Sequence, residues 1–594
     1  MSDGEPVRKS HSRWFCWLVG LVVTTGMAVT LAALAPFDVV RSRLDALAGD
    51  GSADPYTPAL HHRLRFGMAA VGASLIVLGA ILWGSRQRLA AIGSRLREDF
   101  RRLTAWIRAL SRGVTASLIV ITIVAAAVRV PYLNQPMRFD EAYTYNAYSS
   151  QPWFVAISKY DAPNNHVLHS LLVLVATRVI GDAPWAVRLP AFLAGVVLVP
   201  ATMLLAAAVG GRRSATLAGL LVATSSPLIE YSTNARGYTL VCLCAVCGWL
   251  MTVRLVRRCD RAAWLCWGVF AVVGCWTIPV MVYPLLMQLV WMECQCRTGV
   301  TRTVYGGSFR AWCCGVIAAT AAATLVCYLP ILLVSGPGSL FANDYVQPVP
   351  LGQFCLSAGG WLRDLVALLW RDVPLPVLLV CLAGLVLALQ NGNEWVRQAR
   401  RTALGSVSVV GLVMLLQRVL PFPRVWLFLL PLAAVLIGVG LIRWLRFLST
   451  RPLRVVAFFA TIALVATWPL MNSIRNDSIR ESLETGTLPA AEAIVRDLRG
   501  LLRPGEPVIT VSPSSAPLVY YARRAGLDMH HFDRPATDSA PSGDAVVVIN
   551  RRHPETLTSV LGQLGLERRY GDQQFRLIKE YPSARIYRRV SQTP

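Results

Sequence analysis

Charge is scarce in this sequence. Asp, Glu, Lys and Arg together make up 15% of 594 residues, where a soluble protein carries about 25%. That deficit, beside 55% hydrophobic residues, excludes a soluble globular protein and places the chain in the polytopic membrane class. Acidic residues are the scarcer kind, 33 against 58 basic ones, for a net charge of +25. So large an excess suggests nucleic-acid binding, but the arginines cluster between apolar runs, as the inside bias of membrane proteins requires, and no nucleic-acid partner is expected. Cysteine is absent after Cys381, so the polar C-terminal region has neither a disulfide framework nor a thiolate zinc site. That region also lacks a glycine-rich phosphate fingerprint. No half-to-half repeat of the kind a secondary transporter carries is evident.

What the chain has in plenty is apolar runs of membrane length. Arg8, Lys9 and Arg13 precede the run Trp14–Ala35. Ala33-Leu34-Ala35 looks like a cleavage site, but the run is longer than a signal core and is expected to be retained as a helix. A second run covers Phe66–Trp83. The segment Ser85–Gly113 follows with eight arginines against Glu98 and Asp99, which places it in the cytoplasm. Its apolar positions Leu96, Phe100, Leu103, Trp106, Ile107 and Leu110 recur at helical spacing, so it should lie along the inner leaflet.

Val114–Leu133 then runs outward, and alternation from there puts every short arginine-rich loop on one side. His166–Ile180 is too short to cross and reads as a helix at the outer interface, within a long extracytoplasmic loop over 134–186. Later crossings are Val187–Val209, Ser214–Ile229, Tyr238–Val256, Ala262–Thr277, Val280–Trp291, Ala311–Val334, Pro374–Gln390, Leu404–Leu420, Val425–Ile442 and Leu453–Leu470, with a second interfacial helix near Phe354–Trp370. The total is about 13 spans. Beyond Met471 the composition becomes that of a soluble domain. Helices are expected over Leu488–Leu502, Ala516–Ala525 and Pro554–Leu564. Strands are expected at Pro507–Val511, near Asp528–Phe532 and at Ala545–Ile549, with a closing hairpin of Phe575–Glu580 and Ala584–Arg588. The expected architecture is a polytopic α-helical membrane protein with a small extracytoplasmic α/β domain. It divides into a two-helix extension with its basic linker (1–113), a main membrane domain (114–470) and the α/β domain (471–594).

The residues that bear on chemistry gather in the first long loop. Asp140 and Glu141 stand together just beyond an apolar run, and carboxylates near a bilayer are expensive to place. Their plain alternative is a helix cap or a solvated loop. Arg188, Arg236 and Arg424 fall near the same outer surface, where a planar guanidinium fork suits a phosphate. For Arg236 and Arg424 the alternative is snorkelling at the interface, and for Arg188 it is pairing with Asp182. His166 and His169, three apart, share a helix face that could present an imidazole to an anion, or to a divalent metal together with Asp140, or simply be polar. Tyr143, Tyr145 and Tyr148 can stack on a sugar or anchor the interface.

The ordered set Arg138-x-Asp140-Glu141-Ala142, then Asn164-Asn165-His166, then Gly181-Asp182-x-Pro184-x-x-x-Arg188-Leu189-Pro190, then Asn234-Ala235-Arg236-Gly237-Tyr238 resembles the membrane glycosyltransferases that use lipid-phosphate sugars. These include the bacterial relatives of protein O-mannosyltransferases and aminoarabinose transferases. The resemblance covers Val114–Ile442 and is strongest from Arg138 to Leu240. The first two helices stand outside it. It implies a C-type glycosyltransferase fold in the inner membrane, with an extracytoplasmic site, a polyprenyl-phosphate sugar donor and a protein or glycolipid acceptor. Carried over by motif, Asp140 is the general base and Glu141 supports it or contacts the acceptor. Arg188, Arg236, Arg424, His166 and His169 are donor-phosphate candidates, and Tyr143, Asn165, Asn234 and Tyr238 are substrate contacts. No organic cofactor is implied, and relatives differ in metal dependence. Where the family places Pro-Pro-Leu, this chain has Val167-Leu168-His169, a departure at the headgroup contacts. A transporter and a non-catalytic envelope-assembly protein are the competing classes, and charges set in external loops rather than mid-span speak against the first.

Reporter fusions test the orientation: those at Arg101 and Arg446 should report the cytoplasm and one at Ser514 the outside, and a cytoplasmic signal at Ser514 would break the alternation.

Overall fold

The computed structural model describes residues 5–47, 56–296, 299–341, 347–390, 394–448, 450–481, 486–533, 544–553, 555–566 and 575–589. The long apolar runs are helices, since a backbone in hydrocarbon has only its own N–H and C=O groups to pair with. Eight helices among the described residues are long and apolar enough to cross a membrane: Phe15–Ala32, Pro58–Gly84, Thr115–Tyr132, Pro184–Gly210, Tyr238–Arg257, Phe309–Val334, Arg397–Gln417 and Arg451–Arg475. Three further expected crossings are shorter apolar helices, Arg261–Thr277, Leu375–Gln390 and Leu429–Leu445, and a fourth is the helix Val282–Cys296. The stretch Ser214–Ile229, expected as one crossing, is two helices, Arg212–Thr224 and Ser226–Ser232. The break falls at extended Ser225, and Pro227 sits in the first turn of the second helix, where its missing N–H leaves no bond unmade. The two stretches expected as interfacial helices are helical, Val167–Ile180 and Leu351–Leu369, and the basic linker is the helix Arg86–Ser111.

Pro184–Gly210 is the central helix, packed by Thr115–Arg129, Arg212–Thr224, Tyr238–Arg257 and Leu429–Leu445. In a membrane, helices associate through close packing of small residues rather than through a hydrophobic drive. Leu429–Leu445 shows this on two sides. A Cβ on Gly440 would stand 1.8 Å from the Gly384 carbonyl oxygen, and one on Gly438 would stand 2.8 Å from that of Ser214.

The C-terminal part folds around a four-stranded sheet of β1 (Val508–Ile509), β2 (Val546–Asn550), β3 (Phe575–Tyr581) and β4 (Ala584–Arg589), in the order β1-β2-β4-β3. β1 runs parallel to β2, and the other pairs are antiparallel. β2 is buried along its whole length, as its unbroken Val-Val-Val-Ile run requires. Helices Ala491–Leu501 and Ser515–Arg524 cover one face, and Leu557–Gln563 covers the other. The strand expected near Asp528–Phe532 is instead a single 3-10 turn, Met529–Phe532, because the Asp528 carboxylate caps it by accepting from the His530 amide. The expected helix start at Pro554 lies outside the described residues. The last apolar helix continues through Arg475, past the composition change at Met471.

This α/β unit rests on the first long loop. The Phe139 amide donates to the Gly486 carbonyl at 2.9 Å, and the Met137 amide to the Tyr521 hydroxyl at 3.1 Å. Tyr520 donates to the Asp182 carbonyl at 2.5 Å, and Arg524 pairs with the Asp182 carboxylate at 3.1 Å. Met137, Ala142 and Tyr145 of the loop share one apolar cluster with Leu488, Ile494, Leu498 and Tyr520.

Because Gly440 abuts backbone that has nowhere to retreat, Gly440→Val should destabilise the bundle by about 1–3 kcal/mol, read as a lowered unfolding temperature of the detergent-solubilised protein.

Candidate active site

Helix Phe139–Thr144 carries both carboxylates in its first turn, where a helix favours negative charge. It starts because Arg138 is extended and the Glu141 side chain reaches back to accept from the Arg138 amide at 2.9 Å, one arm of a capping box. A π-helical turn, Tyr145–Ser149, follows it directly. Neighbours on a helix point about 100° apart, so the two acids meet different surroundings.

Glu141 is fully buried. One oxygen accepts from Arg188 Nε at 3.0 Å and from the Ala235 amide at 2.9 Å, and the other accepts from Arg188 Nη2 as well as the Arg138 amide. Arg188 uses its remaining hydrogens on three carbonyls of the approaching loop, those of Leu133 (2.7 Å), Gln135 (2.6 Å) and Pro136 (3.0 Å). Burial alone would raise the Glu141 pKa; the Arg188 charge and these hydrogen bonds outweigh it and hold the carboxyl below its ordinary range. Glu141 is therefore a charged structural pin with no free lone pair facing a substrate.

Asp140 is held loosely by comparison. Its Oδ2 lies 3.4 Å from Arg424 Nη2 with no hydrogen bond made, and its Oδ1 accepts from Asn164 at a long 3.5 Å. Arg424 also donates to the Tyr238 hydroxyl at 3.0 Å and lies over the Phe422 ring at 4.5 Å. Arg236 is buried beside the same helix and donates to the Thr144 hydroxyl (3.0 Å), the Asn164 side-chain oxygen (3.2 Å) and the carbonyls of Asp140 and Asn164. Among the described residues Arg236 has no carboxylate partner, and its Nε is unpaired. One guanidinium group thus lies by the Asp140 carboxylate and a second against the backbone of its turn, an arrangement that favours a further anion.

The other sequence candidates divide. His166 Nδ1 accepts from the Gly237 amide at 2.8 Å, and its ring stands edge-on to Tyr238. Burial, and then the charge of Arg236, push its pKa well below the usual range, so it is a neutral acceptor near the arginines. His169 is sealed, with neither ring nitrogen partnered. Among the described residues no group of three or more His, Cys, Asp or Glu side chains is placed to hold a metal ion. Asn165 is buried and satisfied by the Ala156 and Lys159 carbonyls and the Ser170 hydroxyl, whereas its neighbour Asn164 bridges Asp140 and Arg236. Asn234 is buried with neither amide atom partnered. Tyr143 stacks on Phe139 and meets Tyr148 edge-on, against the α/β unit.

A second buried ion network went unread in the sequence. Glu230, fully buried, pairs with Arg138 Nη1 at 2.5 Å and with Arg371 Nη1 at 2.6 Å, and Arg138 also donates to the Ile479 carbonyl. An acid at the end of an apolar run was the available signal.

Removing one partner of a buried pair strands the other charge. Glu141→Gln and Arg188→Met should each destabilise the protein by about 3–5 kcal/mol, measured by thermal unfolding in detergent, with the first loop becoming sensitive to protease.

No family model matches the sequence, and no curated protein matches it. Solved structures do. ArnT from Cupriavidus metallidurans in the apo state aligns at a TM-score of 0.51 and 15% identity, covering 81% of this chain and 99% of ArnT. The same protein bound to undecaprenyl phosphate aligns at 0.50 and 15%, covering 80% and 99%. The archaeal oligosaccharyltransferase AglB from Archaeoglobus fulgidus is more distant, at 0.41 and 11%, covering 66% of this chain and 58% of AglB. At such identities the likeness is one of fold, and on it this multi-pass membrane chain has the C-type glycosyltransferase fold that ArnT displays.

Proposed function

We propose that this protein is an inner-membrane glycosyltransferase that moves a sugar from a polyprenyl-phosphate donor to a hydroxyl on an extracytoplasmic protein or glycolipid acceptor. The observation that carries the reading is the charge arrangement at Asp140: one loosely held carboxylate beside Arg424 at 3.4 Å, and the buried, acid-free Arg236 against the same helix. That is a place for a proton acceptor next to a place for a phosphate.

The donor's lipid tail has a groove. A cavity of about 500 Å³ is walled by Pro279, Leu285, Leu289, Ile317, Leu325 and Tyr328, and Tyr328 packs in one cluster with Tyr160 and Val167, next to His166. An apolar groove whose Tyr328 end adjoins Tyr160, itself within the electrostatic reach of Arg236, matches an amphipathic donor. The fold neighbour ArnT has been solved with undecaprenyl phosphate bound, which supports a lipid carrier of that class.

The chemistry is a single displacement. The acceptor oxygen attacks the anomeric carbon while Asp140 takes its proton, and the bond from that carbon to the phosphate oxygen breaks with its electron pair going to the leaving phosphate. Arg236 and Arg424 stabilise the charge that develops there. Asn164 touches both the base and Arg236 and keeps the two in register. Glu141 and Arg188 act at one remove, by fixing the helix on which Asp140 stands.

Asp140→Asn should lower transfer from a polyprenyl-phosphate sugar by about 10²–10⁴-fold in membranes while leaving expression and unfolding temperature near wild type. Undiminished activity in that variant removes Asp140 as the base, and undiminished activity in an Arg236→Gln/Arg424→Gln variant removes the phosphate site.

A further inference from the structure

The helix Arg86–Ser111 is tied to the membrane domain along only part of its length. From Leu96, which packs against the main core, onward it is docked. Asp99 accepts from the Arg261 amide and pairs with the Arg261 guanidinium at 3.4 Å, Leu103 is buried in the main core, and Arg254 lies over the Trp106 ring at 5.2 Å. Its ends join the helices Pro58–Gly84 and Thr115–Arg129, so it runs along one face of the bundle, the face that its own arginine excess assigns to the cytoplasm.

The apolar stripe does not stop where the docking stops. At about 100° per residue, Leu89 and Ile92 continue the line of Leu96, Leu103, Ile107 and Leu110, and Phe100 stands at its edge. Yet Ile92 is 49% exposed and Phe100 37% exposed. The exposed length of the stripe is flanked on both sides by arginines. Arg88 and Arg95 lie along one border and Arg86 along the other, roughly a quarter turn from its centre, and all are exposed. Arg86 sits on the Trp83 ring at 4.9 Å, at the end of the preceding membrane helix. The segment's two acids are already used, Glu98 by Arg102 at 3.1 Å and Asp99 by Arg261.

We propose that Arg86–Phe100 is a binding strip for the anionic headgroups of inner-leaflet glycerophospholipids. The continuous stripe fits acyl chains where protein no longer covers it. The flanking guanidinium groups stand at the height of the phosphates, the arrangement by which an in-plane helix holds acidic lipid. An acidic soluble protein would match the charge but would leave the stripe between the arginines in water. This strip stands apart from the site around Asp140 and does not depend on the transfer reaction.

The full-length protein, reconstituted in nanodiscs of phosphatidylcholine and phosphatidylglycerol in equal parts and then extracted in mild detergent, tests this by mass analysis of the lipids it retains. The wild type should hold phosphatidylglycerol in excess. Arg86→Gln/Arg88→Gln/Arg95→Gln should lose that excess, its attraction weakened about a hundredfold at about fivefold per arginine. The triple lysine variant should keep most of it, and Arg101→Gln/Arg112→Gln on the opposite face should keep all of it. Equal retention of both lipids by the wild type, an unchanged excess in the triple glutamine variant, or an equal loss in the opposite-face variant overturns the proposal. So does capture of an acidic soluble protein with no lipid preference. Matching gel-filtration profiles show that the variants are folded.

Discussion

One buried ion pair decides how the first long loop is shaped. Arg188 comes from the central helix and spends its whole guanidinium on Glu141 and on three carbonyls of the approaching chain. A charge placed there without its partner is intolerable, so the loop has one way to lie. The Ala235 amide, held by the same carboxylate, brings the segment with Arg236 to the same point. The ends of three separate stretches of sequence therefore converge on a single acid, and the position of its neighbour Asp140 follows from theirs.

Adjacent carboxylates with opposite duties are a compact solution to a common conflict. A proton acceptor has to be accessible and lightly bonded, whereas the backbone that holds it has to be rigid. Consecutive residues of one helical turn here divide those requirements, with Glu141 bonded at both oxygens and Asp140 only lightly bonded. Glu230 repeats the theme a layer away: it joins Arg138, at the start of that turn, to Arg371 from a distant loop, so helix position is fixed from both flanks. Arg129 is a contrasting case, a buried cation satisfied by the Ser232 hydroxyl and by carbonyls of Ala125, Val222 and Ala223.

The membrane class, most helix positions and the α/β character of the C-terminal part were legible in the sequence, since each follows from composition or apolar length, and Asp140, Arg236 and Arg424, chosen by motif order and place, do lie together. Side-chain direction was not. Asn164 and Asn165 are equal candidates as letters, and only the backbone turn before His166 decides that the first faces Asp140 and the second faces the loop's own carbonyls. Arg188 reads as a phosphate ligand by type and place, but depth in the bundle commits it to Glu141. Glu230 was hidden because a window that averages hydropathy passes over one acid. The expected strand at Asp528–Phe532 failed on a local effect, a capping aspartate that outcompetes β-propensity.

The hydrogen bond from the Phe139 amide to the Gly486 carbonyl has a consequence for biogenesis. The turn that bears Asp140 emerges early from the ribosome, but the surface that clasps it is made near the end of synthesis. Gly486 has a left-handed backbone (φ 65°), and a side chain there would strike Phe139 and Pro513, so the clasp tolerates no bulk. A nascent chain released before that point has Asp140, Glu141, Arg188 and Arg236 and still lacks the surface that packs on their turn. The clasp on the Asp140 turn therefore forms only in chains whose synthesis has passed Gly486.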